Sequence, residues 1–122
     1  MTIFKKLTAL ENEASDFGFA WETAEQISSQ IQSELSEIKA HFKDQDKTKL
    51  QEEIGDLLHA AFSLCIFCEL DAEKTLENSV AKFERRFHSV KQLAAQDDLH
   101  SLKGKDFKEL MLYWGQAKKL VG

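Results

Sequence analysis

The sequence contains no proline and only five glycines in 122 residues. Strand-rich folds need turn residues at short intervals. Their scarcity excludes a meander of hairpins and favours long helices. Cysteine is scarce too, limited to Cys65 and Cys68. Their C-x-x-C spacing can mark a redox or zinc pair. No second Cys or His cluster at zinc-site spacing follows, and no thioredoxin-like strand precedes them. We therefore read both as buried packing thiols, free in a reducing compartment. Long apolar runs are also missing. The run that starts at Leu57 is well short of the roughly 20 residues that span a bilayer. Met1-Thr2-Ile3-Phe4-Lys5-Lys6 is not followed by the apolar stretch of a signal peptide. A soluble cytoplasmic protein without membrane contact is the expectation. Nor is there an excess of positive charge. The net charge of −5 argues against a nucleic-acid partner, which usually meets a basic face. A small anionic substrate remains compatible with it, provided a metal or local Lys and Arg offset the charge.

What is present is ordinary globular composition, 43% hydrophobic and 30% charged. The length suits a single domain over 1–122, with a thin core that oligomerisation would help to cover. Hydrophobic spacing predicts five helices. The first covers about 2–15 and carries Ile3, Leu7 and Leu10 on one side. Asp16 to Trp21 reads as a loop broken at Gly18. The second runs from about 22 to 43, with Ile27, Ile31, Leu35, Ile38 and Phe42 on one stripe. Thr48 and Gln51 look like a capping box opening the third. That helix is apolar nearly all round beyond Leu57, as in a bundle centre or subunit interface. Asp71 can cap the fourth, whose stripe is Leu76, Val80, Phe83, Phe87, Val90 and Ala94. Asp106 opens the last, which carries Phe107, Leu110, Met111, Trp114 and Val121. Short connections imply an all-α, antiparallel bundle of four to five helices.

Two acidic pairs stand out. Glu34 and Glu37 are three apart on the second helix, and Glu53 and Asp56 three apart on the third. Residues at i and i+3 project from the same side. Glu34 and Glu37 flank the apolar stripe; Glu53 borders the apolar face, and Asp56 lies one step further out. Antiparallel packing would let the pairs face each other across a groove. Four carboxylates repel, and a hard cation such as Mg²⁺, which takes oxygen ligands, offsets that repulsion. An E-x-x-E pair is more often a solvated face, and spacing alone leaves both readings open. Gly55 lies between the second pair. Glycine inside a helix costs about 1 kcal/mol relative to Ala, so a close approach of backbone or ligand is expected there. His41 and His59, each within a turn of an acidic pair, read as packing or polar fill.

Lys82 and Arg86 are four apart beside Phe83 and Phe87, with Arg85 further out. They suit either phosphate charge or surface pairing with nearby Glu residues. Lys118 falls within the stripe of the last helix, where a lysine either snorkels outward or meets an anion. Trp114 fits core or base platform. Trp21, in a loop, suits stacking on a base.

These residues resemble a known family. Glu34-x-x-Glu37 followed by Glu53-x-x-Asp56, in the context Glu52-Glu53-Ile54-Gly55-Asp56-Leu57-Leu58, is similar to the signature of MazG-type nucleoside triphosphate pyrophosphohydrolases, within the all-α NTP pyrophosphatase superfamily. Trp21-Glu22-x-x-Glu25-Gln26, Lys82-Phe83-Glu84-Arg85-Arg86-Phe87 and Trp114-x-x-x-Lys118 resemble its other motifs. The similarity runs from about Phe17 to Lys118. It implies a MazG-like helical fold, a homodimer or homotetramer with substrate at a subunit interface, and hydrolysis of (deoxy)nucleoside triphosphates to monophosphate and pyrophosphate in nucleotide-pool house-cleaning. It implies Mg²⁺, with Mn²⁺ as a substitute, held by Glu34, Glu37, Glu53 and Asp56 as the catalytic acids. It implies Lys82 and Arg86 on phosphates and Trp114 and Lys118 on base or phosphate. The best-known members have two such domains, whereas this sequence supplies one. Two alternatives stand beside it: phosphoribosyl-ATP pyrophosphohydrolysis by a related helical family, and a non-catalytic helical oligomerisation module.

Overall fold

A computed structural model describes residues 2–122. The described residues form α1 (Ile3–Phe17), α2 (Ala24–His41), a 3₁₀ turn (Phe42–Asp44), α3 (Lys47–Phe67), α4 (Ala72–Gln96) and α5 (Phe107–Val121), with no strand among them. The all-α expectation holds. Among the described residues, no helix is long and apolar enough to cross a membrane.

Local chemistry sets the helix ends. Gly18 closes α1 in the left-handed region at φ 97°, which lacks steric cost only for glycine. Its N–H donates to Ser15 O and that of Phe19 to Ala14 O. Asp16 and Phe17 were expected in the loop, but this closure keeps both at the helix end. A capping box opens α2, with Thr23 and Gln26 each bonding the other's backbone N–H. The expected box at Thr48 is absent. Asp46 caps α3 instead, accepting from Lys49 N at 3.1 Å. A carboxylate there also complements the positive end of the helix dipole, so helix formation begins before Thr48. Asp71 and Asp106 cap as expected, accepting from Lys74 N at 2.7 Å and Glu109 N at 2.8 Å. Few glycines are available for turns, and Gln45, Glu69 and Asp98 take left-handed backbone themselves.

The chain divides into two compact units, one up to Thr75 and one from Leu76 to Gly122. In the first, α2 and α3 pack against each other. Their register is antiparallel. His41, at the end of α2, meets Glu53 in the second turn of α3. Gln30 and Glu34, earlier in α2, line one cavity with Ala60 and Ser63, later in α3. Phe4 of α1 meets Phe62 of α3 edge-on, with ring centroids 5.1 Å apart.

The core is thinner than the stripes suggest. Ile27 and Ile38 are buried, yet Phe42 is 64% exposed and Leu58 52% exposed. On α4, Val80, Phe83 and Phe87 are exposed as well. Helical periodicity collects apolar residues on one side, but this chain supplies neighbours for only part of each stripe. The thiols also depart from expectation. Both are free, but Cys65 is half-buried and Cys68 exposed. Cys68 is the C-cap residue, so it stands where α3 has already ended.

Candidate functional site

Two of the four signature acids are buried. Glu34 is 7% exposed and Glu53 6%. Each lies on the side of its helix that faces the α2–α3 packing, as bordering the apolar stripe requires. The Gln30 amide donates to Glu34 Oε1 at 2.7 Å. His41 Nδ1 lies 2.6 Å from Glu53 Oε1, a close ion-pair contact whose angles do not make a hydrogen bond. The second oxygens, Glu34 Oε2 and Glu53 Oε2, are buried and have no partner among the described residues. A buried acceptor left unmade costs about 1–3 kcal/mol, and more when charged. Glu37 and Asp56 are exposed, one step along the same helices.

An open cavity of about 730 Å³ lies beside this region within the first unit. That volume is within the roughly 300–1,000 Å³ typical of small-molecule sites. Glu34 and Asp56 line it, whereas Glu37 and Glu53 do not. Its apolar side comes from Leu7, Leu10 and Ala14 of α1 and from Phe19, Ala20 and Trp21 of the following loop. Trp21 thus stands in a cavity wall, 37% exposed.

The donor set fits a hard cation. It offers carboxylate oxygens only, two of them buried and unpaired on adjoining helices, and oxygen is what Mg²⁺ selects. Among the described residues, no three His, Cys, Asp or Glu side chains converge closely enough to hold a cation as they stand. Gly55 is open: a Cβ there would meet nothing within 4 Å. The close approach expected at Gly55 is not made by this chain.

The second unit carries the basic residues. Arg86 is half-buried, its Nε donating to Gly122 O at 2.9 Å and its guanidinium carbon 5.6 Å from the Trp114 ring centroid. Trp114 is half-buried, with its ring centroid 5.9 Å from that of Phe83. Lys82 and Lys118 are exposed and form no ion pair among the described residues. Lys118 therefore reaches outward from its stripe. Tyr113 donates to Asp97 Oδ2 at 2.6 Å. That bond, and behind it the nearby negative charge, pushes the phenol pKa above its ordinary value.

Sequence reading missed Glu11, Gln30 and Ser63. Ser63 is buried at 4% exposure and donates to Glu11 Oε1, and His59 Nε2 lies 3.3 Å from the same oxygen. A signal existed: Glu11 sits four residues after Leu7, on the apolar side of α1, and Ser63 interrupts an apolar run.

Comparison with known proteins gives a consistent result. The model of the MazG nucleotide pyrophosphohydrolase domain matches residues 22–91, more than half of the chain. A nucleoside triphosphate pyrophosphohydrolase/pyrophosphatase MazG of Thermotoga maritima is 34% identical over 109 residues, covering 89% of this chain and 41% of that protein. A nucleoside triphosphate pyrophosphohydrolase of Escherichia coli K12 is 30% identical over 112 residues, covering 90% of this chain and 42% of its own length. The chain thus spans less than half the length of these curated relatives.

Proposed function

The chain belongs to the MazG nucleotide pyrophosphohydrolase domain family, and from that we propose that it hydrolyses (deoxy)nucleoside triphosphates to monophosphate and pyrophosphate with Mg²⁺, in nucleotide-pool house-cleaning. The observation that carries the reading is the pair of buried, unpartnered carboxylate oxygens on Glu34 and Glu53. Buried charge persists where something offsets it, and here a divalent cation would do so.

Glu34, Glu37, Glu53 and Asp56 are the residues that would hold it. When bound, the ion would neutralise phosphate charge and lower the pKa of a coordinated water. The chain's own residues do the rest. Gln30 orients Glu34, and His41 holds Glu53 from the end of α2. Trp21 and Phe19 offer flat apolar surface for a base, and α1 forms that side of the cavity. Hydrolysis adds one water across the anhydride between the α- and β-phosphates, so a monophosphate and pyrophosphate account for all atoms. Lys82, Arg86 and Lys118 suit phosphate charge, and Trp114 suits the base.

Exposed Leu35, Phe42, Ile54 and Leu58, with the open Gly55 between the last two, support a homodimer or homotetramer, because apolar patches of this kind mark interfaces. Incubation with a panel of canonical and modified nucleotides and Mg²⁺, with pyrophosphate assayed, tests the reading. Pyrophosphate should be released from at least one. No release from any would refute the activity. Mg²⁺ should also raise the melting temperature, since a ligand at 100 times its Kd stabilises the native state by about 2.7 kcal/mol.

A further inference from the structure

We propose that Glu11 reads the base, favouring nucleotides whose base carries an exocyclic amino group over their deaminated counterparts. This deepens the nucleotide reading above and rests on it.

Glu11 projects from α1 into the cavity that Glu34 and Asp56 also line. It lies among Leu7, Leu10 and Trp21, the surfaces against which a flat base packs. Its carboxylate is held rather than free. The buried Ser63 hydroxyl donates to Oε1, and His59 Nε2 stands 3.3 Å from that same atom. Both contacts fall on Oε1, which leaves Oε2 as the acceptor available to a ligand. Ser63 has no other hydrogen-bond partner among the described residues, and its side chain comes from a helix 52 positions away. The pair therefore fixes the carboxylate's orientation across two helices.

Spacing along α3 separates this contact from Asp56. Ser63 is seven residues beyond Asp56, about 10 Å along the helix axis. A base at Glu11 thus leaves room for a sugar before the phosphates reach Asp56.

The chemistry is asymmetric. An amino N–H donates to a carboxylate oxygen. A carbonyl in the same place turns lone pairs toward lone pairs and leaves the carboxylate unsatisfied, and discrimination arises from that unmade bond. A hydrogen bond to a charged acceptor corresponds to about 10-fold or more in affinity.

The test uses two matched pairs that differ by amino against carbonyl, adenine with hypoxanthine and cytosine with uracil. Calorimetry gives the affinities of the deoxynucleoside monophosphates, and kcat/KM follows for the triphosphates. The wild type should prefer the amino member of at least one pair by about 10-fold. In Glu11→Gln and Glu11→Ala, both checked for helical circular dichroism, the amino member should weaken and the ratio fall to near one. Parity in the wild type for both pairs would overturn the proposal, and so would a preference that survives both variants. An intact binding preference without hydrolysis of any triphosphate would support Glu11 in this role and refute the proposed reaction instead.

Discussion

The two units handle charge in opposite ways. In α2 and α3, acids are buried: Glu34 accepts from Gln30 through one oxygen, Glu53 touches His41 through one, and each leaves the other bare. In α4 and α5, cations are exposed or satisfied: Lys82 and Lys118 stand in solvent, while Arg86 bonds Gly122 O and covers the Trp114 ring. The contrast shows which side chains carry information about a ligand. Burying an ionised group with an unmade bond is costly, so a bare buried oxygen points to a missing partner. An exposed lysine costs nothing to leave unpaired, and its position says little by itself.

The largest expected effect tests the acid side. Glu53→Gln should lower turnover by about 100-fold or more, the scale on which an electrostatic group at a reacting centre acts. The same change should leave the metal-free protein about as stable, because relief of the bare buried oxygen offsets the weakened His41 contact. Pyrophosphate release and urea unfolding measure the two. Loss of both activity and metal-free stability would mark Glu53 as structural and erase the contrast.

A smaller effect is expected on the cation side. Arg86→Ala should destabilise by about 1 kcal/mol, the combined scale of a hydrogen bond and a cation–π contact. Lys82→Ala should stay within about 0.5 kcal/mol, as surface changes do. Urea midpoints of the two variants compare them directly. Equal losses would show that Arg86 is no better anchored than Lys82.

The smallest effect lies in Tyr113. Its folded pKa is raised, chiefly by the bond to Asp97. The unfolded chain therefore loses its proton first, near the ordinary value of about 10. The bond's contribution is fully present below that pH and fades as pH rises through the folded value. Tyr113→Phe should flatten the alkaline fall in melting temperature between about pH 9 and 11. An unchanged slope would show that the Tyr113–Asp97 bond gives no folded-state advantage.

Much of this contrast was legible beforehand. Periodicity set Glu34 and Glu53 beside the apolar stripes, and the caps at Asp71 and Asp106 followed from residue type. Burial depth was not legible. Glu34 and Glu37 share an i, i+3 relation and an identical side chain, yet only Glu34 is enclosed. Glu34 falls within the Ile27, Ile31 and Ile38 stripe that α3 covers, and Glu37 falls outside it. Asp46 displaced Thr48 as the cap of α3 because its carboxylate accepts from Lys49 N and so starts the helix two residues earlier.

By itself, the sequence determined that the chain is helical, where most helices end and which family it resembles, since those follow from spacing, capping chemistry and motif. Tertiary structure alone decided which acids lose their water and that Glu11 meets Ser63 across 52 positions. Such contacts depend on how separate helices cover one another, and the 3.6-residue repeat fixes only the side each helix presents.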